Sequence, residues 1–160
     1  MKIELKKLTK KYLPQVIIIG VAVVAFLVTL LCFVISNKTD RREFLFPSAD
    51  DNSLVIEYRN LPKKSVQGDV QLFIDELLLG SSVERTRLLF SPETRVISCF
   101  QREGTLYLNL SSDLLFTNSG IMPLEQGAEL LEKNIKLNFP EVETVELYVD
   151  GNLAFEKKKR

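Results

Sequence analysis

Residues 16–35, VIIIGVAVVAFLVTLLCFVI, carry no charged side chain, and only Gly20 and Thr29 interrupt the run with any polarity. At a rise of 1.5 Å per residue, about 20 apolar residues cover the roughly 30 Å hydrocarbon layer of a bilayer, whereas a helix buried in a soluble core shows a polar face that is missing here. The run reads as a transmembrane helix. It separates a leader, residues 1–15, from everything beyond a short polar connector at 36–42. A cleaved signal peptide would have a shorter apolar stretch, roughly 7–15 residues, followed by small residues at the cleavage site, and neither is present. A lipid on Cys32 would replace the span by a lipid anchor. The bulky Leu31 before that cysteine and Phe33, Val34 and Ile35 after it favour Cys32 as an apolar filler within the span.

The flanks set the orientation. Lys2, Lys6, Lys7, Lys10 and Lys11 precede the span against the single acid Glu4, and Lys38, Arg41 and Arg42 follow it. Positive charge collects on the cytoplasmic side, so the bias predicts one pass through the cytoplasmic (inner) membrane, the N-terminus inside and the rest outside. Tyr12 sits where an interfacial ring belongs, and Pro14 falls near the helix start, where its missing N–H costs little.

The 21 basic and 21 acidic residues balance only over the whole chain. Without the leader's five lysines and one glutamate the remainder carries a net charge of about −4, which argues against nucleic acid as a partner. That outer part, about 124 residues, is the size of one domain with its own core. With Cys32 in the membrane, Cys99 has no partner in the same molecule for a disulfide.

Along this outer part, a short apolar segment at 43–46 and a turn-rich loop at 47–53 lead into a strand at 54–61. There Leu54, Ile56 and Tyr58 share one face and Val55, Glu57 and Arg59 the other. Val70, Phe73, Ile74, Leu77 and Leu78 then recur at helical spacing, with Asp69 as the expected N-cap and Gly80 at a left-handed end. Asp75 and Glu76 are adjacent on that helix and point apart, as solvated residues do. Strands at 95–101 and 105–111 flank the tight connection Arg102, Glu103 and Gly104. Leu106, Leu108 and Leu110 make a buried face, with Tyr107 and Asn109 opposite. A second helix at 124–138 has the stripe Leu124, Ala128, Leu131, Ile135 and Phe139, and Pro140 stops it. In a last strand at 144–149, Val145, Leu147 and Val149 alternate with Glu146 and Tyr148. A turn at Asp150 and Gly151 leads into 152–155 and a basic tail at 157–160. This order predicts an α+β domain over 43–156, a two-layer mixed sheet with two helices. Phe73 and Leu77 should share its core with Leu108, Val145 and Leu147.

The succession of Glu57-Tyr58-Arg59, ELLLGS at 76–81, SPETRV at 91–96, LYLNLS at 106–111 and VELYVDGN at 145–152 resembles the GerMN domain family of bacterial envelope proteins, over about residues 43–155. The resemblance implies a compact α/β fold, similar to the ring-building domains of secretion-system basal bodies, and a scaffolding role in an envelope complex. It carries over no catalytic residue.

The side-chain inventory points the same way. The chain has no histidine, which removes the commonest general base, the Ser-His triads and the usual zinc sites. Its glycines stand singly, so no loop is built to cradle a phosphate. Asp50 and Asp51 lack the spaced ligands of a calcium loop. The expectation is therefore no catalytic, cofactor or metal site. The chain reads as a non-enzymatic, membrane-anchored module that joins envelope proteins or its own copies, with Tyr148, Tyr58, Arg59 and Tyr107 as interaction candidates. The alternative is a module that binds a small molecule or cell-wall glycan, or a hydrolase using carboxylates such as Glu57 and Asp113. A cleft of convergent polar groups would favour it.

Overall fold

Helix α1 (Lys2–Ser36) opens a computed structural model that describes residues 2–36, 39–51, 53–63 and 65–155. The basic tail expected at 157–160 lies outside the described residues. Within α1, Gln15–Phe33 is long and apolar enough to cross a membrane, and the leader continues the same helix. The hydroxyl of Thr29 donates to the carbonyl of Ala25 at 2.8 Å, so the polar group in the run is satisfied within the helix, as a lipid environment requires. Residues 1–38 form one compact unit and residues 39–160 a second.

The second unit begins with a hairpin of β1 (Thr39–Pro47) and β2 (Leu54–Pro62), paired antiparallel from Thr39 opposite Pro62 to Pro47 opposite Leu54. The strand thus starts at Thr39, inside the stretch expected to be connector. Asp40, Arg41 and Arg42 hid it, because charged side chains at the start of an edge strand look like linker. Helix α2 (Asp69–Leu78) follows. Its N-cap is Gly68, at φ +91°, rather than Asp69, which lies in the first turn, where its charge suits the helix dipole. Gly80, at φ +86°, closes the helix as expected, and a Cβ there would collide with the Leu88 side chain.

Next come β3 (Val96–Arg102) and β4 (Thr105–Leu110), joined by a two-residue turn in which Glu103 and Gly104 both have positive φ. A single 3-10 turn (Ser112–Leu115) and helix α3 (Leu124–Asn138) carry the chain to β5 (Thr144–Val149), which lies parallel to β4. The two-residue β6 (Asn152–Leu153) then turns back along β5. The sheet order is β3-β4-β5-β6, mixed as expected, and the hairpin forms a separate sheet of its own.

The core forms where the hairpin, both helices and the inner face of the larger sheet meet. Phe73 stacks on Phe44 at 4.5 Å and meets Phe139 edge-on at 5.5 Å, and Leu77, Leu108, Leu131 and Leu147 are buried in the same cluster. Val145 packs against the cluster while remaining partly exposed. Gly127 lets α3 come close to the 88–90 segment, since a Cβ would stand 2.7 Å from the Leu89 carbonyl.

Asn134 is fully buried on α3, at a position where the apolar stripe calls for a hydrophobe. Its side chain accepts from the Leu45 amide at 2.8 Å and donates to the Leu45 carbonyl at 3.0 Å. One turn on, Asn138 does the same for Glu43, at 2.9 and 2.6 Å. The two asparagines complete the backbone hydrogen bonds of the β1 edge that β2 does not reach. Asn134→Leu keeps the branched shape but strands the Leu45 amide and carbonyl. It should cost about 2–3 kcal/mol in urea unfolding, whereas the more exposed Leu137→Asn should leave the midpoint almost unchanged.

Candidate functional site

The hairpin turns its faces opposite to hydrophobic expectation. Ile56 and Tyr58 are 53% and 52% exposed, while Glu57 and Arg59 lie inward beside Phe44 and Phe46. This is possible because Arg59 finds a complete set of partners. Its Nε donates to Glu57 Oε1 at 2.9 Å, and Nη1 donates to the Glu76 carbonyl at 2.9 Å and to Glu76 Oε2 at 3.1 Å. Nη2 donates to the Gly80 carbonyl, so the guanidinium caps the C-terminal end of α2, where the helix dipole favours a cation. Glu57 accepts in addition from the Ser81 hydroxyl at 2.7 Å, the Ser82 hydroxyl at 2.8 Å and the Ser82 amide at 3.1 Å. The Arg59 bond, helped by the two serines against the effect of burial, brings the Glu57 carboxyl down to about 2. A carboxylate held ionised and supplied with four donors is poorly placed for acid–base chemistry.

Asp113, the other carboxylate considered for hydrolysis, accepts from the Ser111 hydroxyl at 2.8 Å in the 3-10 turn. No bond links it to Glu57, so the structure does not assemble the two as a catalytic pair. Asp51 accepts from the Ser53 amide and hydroxyl, and Asp50 pairs with Arg85. Among the described residues no three Cys, Asp or Glu side chains converge as a metal would need. Burial raises the half-buried Cys99 thiol to about 11, which keeps it protonated and slow to exchange disulfides at neutral pH.

The interaction candidates separate into three situations. Arg59 is committed to the fold. Tyr58 is open to solvent beneath the Arg41 guanidinium, 4.1 Å from its ring, in a shallow recess of about 370 Å3 with Arg42 and Asn138. Tyr107 and Tyr148 lie together on the outer face of the larger sheet. There Phe100 stacks on Tyr107 at 5.0 Å, and Tyr148, whose hydroxyl donates to Glu146 at 3.2 Å, stands opposite Leu153. Phe100 and Leu153 are 57% and 49% exposed, so this face is an open apolar and aromatic strip. Phe100 and Leu153 belong with the two tyrosines and were not singled out from sequence. Their alternation with Tyr107 and Tyr148 across the sheet was the available signal.

On the other side of β5 a second recess, of about 730 Å3, lies between that strand and α3. Ala128, Leu131, Val145 and Leu147 form its floor.

The segments that carry the family resemblance also meet in space. Glu57 and Arg59 bind the end of ELLLGS. The Asn109 side chain of LYLNLS accepts from the Gly151 amide in VELYVDGN at 2.9 Å, holding the final turn. A family model described as Germane, sporulation and spore germination, matches residues 44–154. An uncharacterized lipoprotein of Treponema pallidum is 36% identical over 89 residues, 56% of this chain and 66% of that protein, just under two thirds of its length. Among solved structures, the first GerMN domain of the sporulation protein GerM from Bacillus subtilis aligns over 75% of this chain and 90% of its own, with a TM-score of 0.58 at 16% identity. The tandem GerMN domains of the same protein give a TM-score of 0.58 at 17% identity. They align over 74% of this chain, which spans only 42% of theirs. Those structures share the fold, and the family match extends over nearly all of residues 39–155: the chain belongs to the GerMN (Germane) family.

Proposed function

We propose that this protein is a non-enzymatic interaction module of the bacterial envelope, held in the cytoplasmic membrane by α1 with its N-terminus inside and its GerMN domain outside. It joins other envelope proteins or copies of itself. The observation that carries this reading is the open outer strip of Phe100, Tyr107, Tyr148 and Leu153, set against carboxylates that are bound into the fold. A related chain being a lipoprotein supports the extracytoplasmic side, although the attachment there is a lipid.

Binding energy in such interfaces gathers in a few aromatic or arginine anchors worth roughly 2 kcal/mol or more each. Phe100→Ser and Tyr148→Ser should therefore abolish complementation of a deletion strain while costing the purified chain no more than about 1 kcal/mol of stability, the worth of the Phe100–Tyr107 stack. Asp113→Asn should complement fully. Full activity of both aromatic variants together with a dead Asp113→Asn would overturn the reading in favour of an enzyme or a ligand-binding module.

A further inference from the structure

Beyond the leader the chain carries a net charge of about −4, yet the end at which it enters the GerMN domain is basic. Only residues 37 and 38 lie between Ser36, the last residue of α1, and Thr39, the first of β1. At no more than about 3.6 Å per residue, Thr39 stays within roughly 11 Å of Ser36 whatever path the connector takes. Antiparallel pairing sets Pro62 opposite Thr39, so the loop 63–68 leaves the hairpin at this same end. Pro47 and Leu54 close the other end, about 26 Å away at 3.3 Å per residue.

Three kinds of side chain collect at the entry end. Over residues 39–42 and 62–68, Arg41, Arg42 and Lys63 stand against the single acid Asp40, which pairs with Lys63 at 3.1 Å and Arg42 at 3.7 Å. The sequence adds Lys64 to the loop and Lys38 just before β1. Val66 lies wholly in solvent, the most exposed large apolar side chain among the described residues. Tyr58, half exposed on the same hairpin, carries the exposed Arg41 guanidinium 4.1 Å from its ring, an amphipathic aromatic beside a cation.

We propose that this end of the GerMN domain is a binding surface for the anionic headgroups of the membrane that α1 crosses. Arg41 and Lys63 meet the phosphates, Val66 enters the boundary between headgroups and acyl chains, and Tyr58 lies at headgroup level. Covalent reach selects the occupant: once α1 spans a bilayer, that surface is within the connector's length of Thr39. The charge agrees, since a basic patch on an otherwise acidic domain is drawn to an anionic lipid surface. The inference rests on the anchoring in the proposed function and adds a second attachment, one that orients the domain as well as tethering it.

The chain has no tryptophan, so Val66→Trp supplies the only one. The probe is phosphatidylcholine vesicles holding the full chain, with or without phosphatidylglycerol, their acyl chains brominated near the headgroup. With phosphatidylglycerol, the introduced ring should lie about 5–10 Å into the interface, its emission shifted to the blue and about halved by the brominated lipid. Leu54→Trp, at the far end of the hairpin, should emit as in water and stay unquenched. Adding Arg41→Gln and Lys63→Gln to Val66→Trp should restore most of the emission, as should omitting phosphatidylglycerol. Arg85→Gln and Arg87→Gln should change nothing, because these arginines bond Asp50 and the Pro47 backbone at the far end. An unquenched ring in Val66→Trp overturns the proposal. So does equal quenching without phosphatidylglycerol or in the Arg41 and Lys63 variant, which would leave the short connector as the whole cause. Equal quenching in Leu54→Trp would mean that the hairpin lies flat, and overturns the assignment of this end. An alkaline wash of the vesicles separates the inference from the reading beneath it. A chain that is released has no anchor and takes both down, whereas a chain that stays with its ring unquenched removes the lipid surface alone.

Discussion

Leu108→Asp is expected to unfold the GerMN domain at room temperature. Leu108 is fully buried at the centre of β4, between Cys99 of β3 and Leu147 of β5, in the cluster that holds Phe73 and Leu77. Losing the leucine side chain alone costs about 2–5 kcal/mol, and an unpaired buried carboxylate adds several more. Against a total stability of roughly 5–15 kcal/mol, little or nothing remains. Tyr107→Asp, one residue away on the outer face, removes the stack on Phe100 and should cost only about 1 kcal/mol. Circular dichroism melts of the full chain in a neutral detergent separate the two cases. Equal losses would mean that the outer face is as thoroughly covered as the inner one.

The second large effect is expected at Arg59. Arg59→Ala leaves Glu57 charged and half-enclosed without its counter-ion, and removes the donor from the Glu76 and Gly80 carbonyls at the end of α2. Breaking one side of a buried ion pair costs about 3–5 kcal/mol. Arg59→Lys keeps the charge but lacks the planar fork that reaches acceptors on three residues at once, so it should recover only part of the loss.

The same network predicts an acid transition. The Glu57 carboxyl is lowered from its ordinary value of 4.5 to about 2 in the folded chain. Its contribution is complete above about pH 4.5 and is lost as pH falls toward 2, a change of about 2–3 kcal/mol. Urea midpoints measured at pH 7 and pH 2.5 should therefore differ less in Arg59→Ala than in the wild type. An unchanged pH slope in that variant would assign the acid transition to other carboxylates.

Where the period was strong, the fold was legible from residues alone. Helix α3 and strand β5 have the bounds that their patterns and Pro140 announce, and the leucine face of β4 is the buried one. The misses share a physical cause: polar residues whose bonding partners are distant in sequence. Asn134 and Asn138 satisfy β1 across 89 and 95 positions, and Arg59 caps a helix 17 to 21 residues on. No local window contains such pairings. The 83–90 stretch was opaque for a related reason. It is held by single bridges, Ser48 to Thr86 and Leu88 to Ile121, and so never builds a repeating pattern. For the candidate site, Tyr107 and Tyr148 were visible from alternation, whereas the recess between α3 and β5 needed those two elements to be placed side by side.

Four side-chain bonds from Asn134 and Asn138 close the outer edge of β1. At high local concentration, such as the membrane anchoring proposed above would create, a bare edge invites intermolecular strand exchange and, eventually, cross-β aggregation. An asparagine amide offers a donor and an acceptor in the spacing of a backbone peptide, so each one acts as a one-residue strand that cannot be extended by a neighbour. In Asn134→Leu the loss of folding energy and the exposure of this template come together. Such a variant should form fibrillar aggregates when concentrated, and not merely melt earlier.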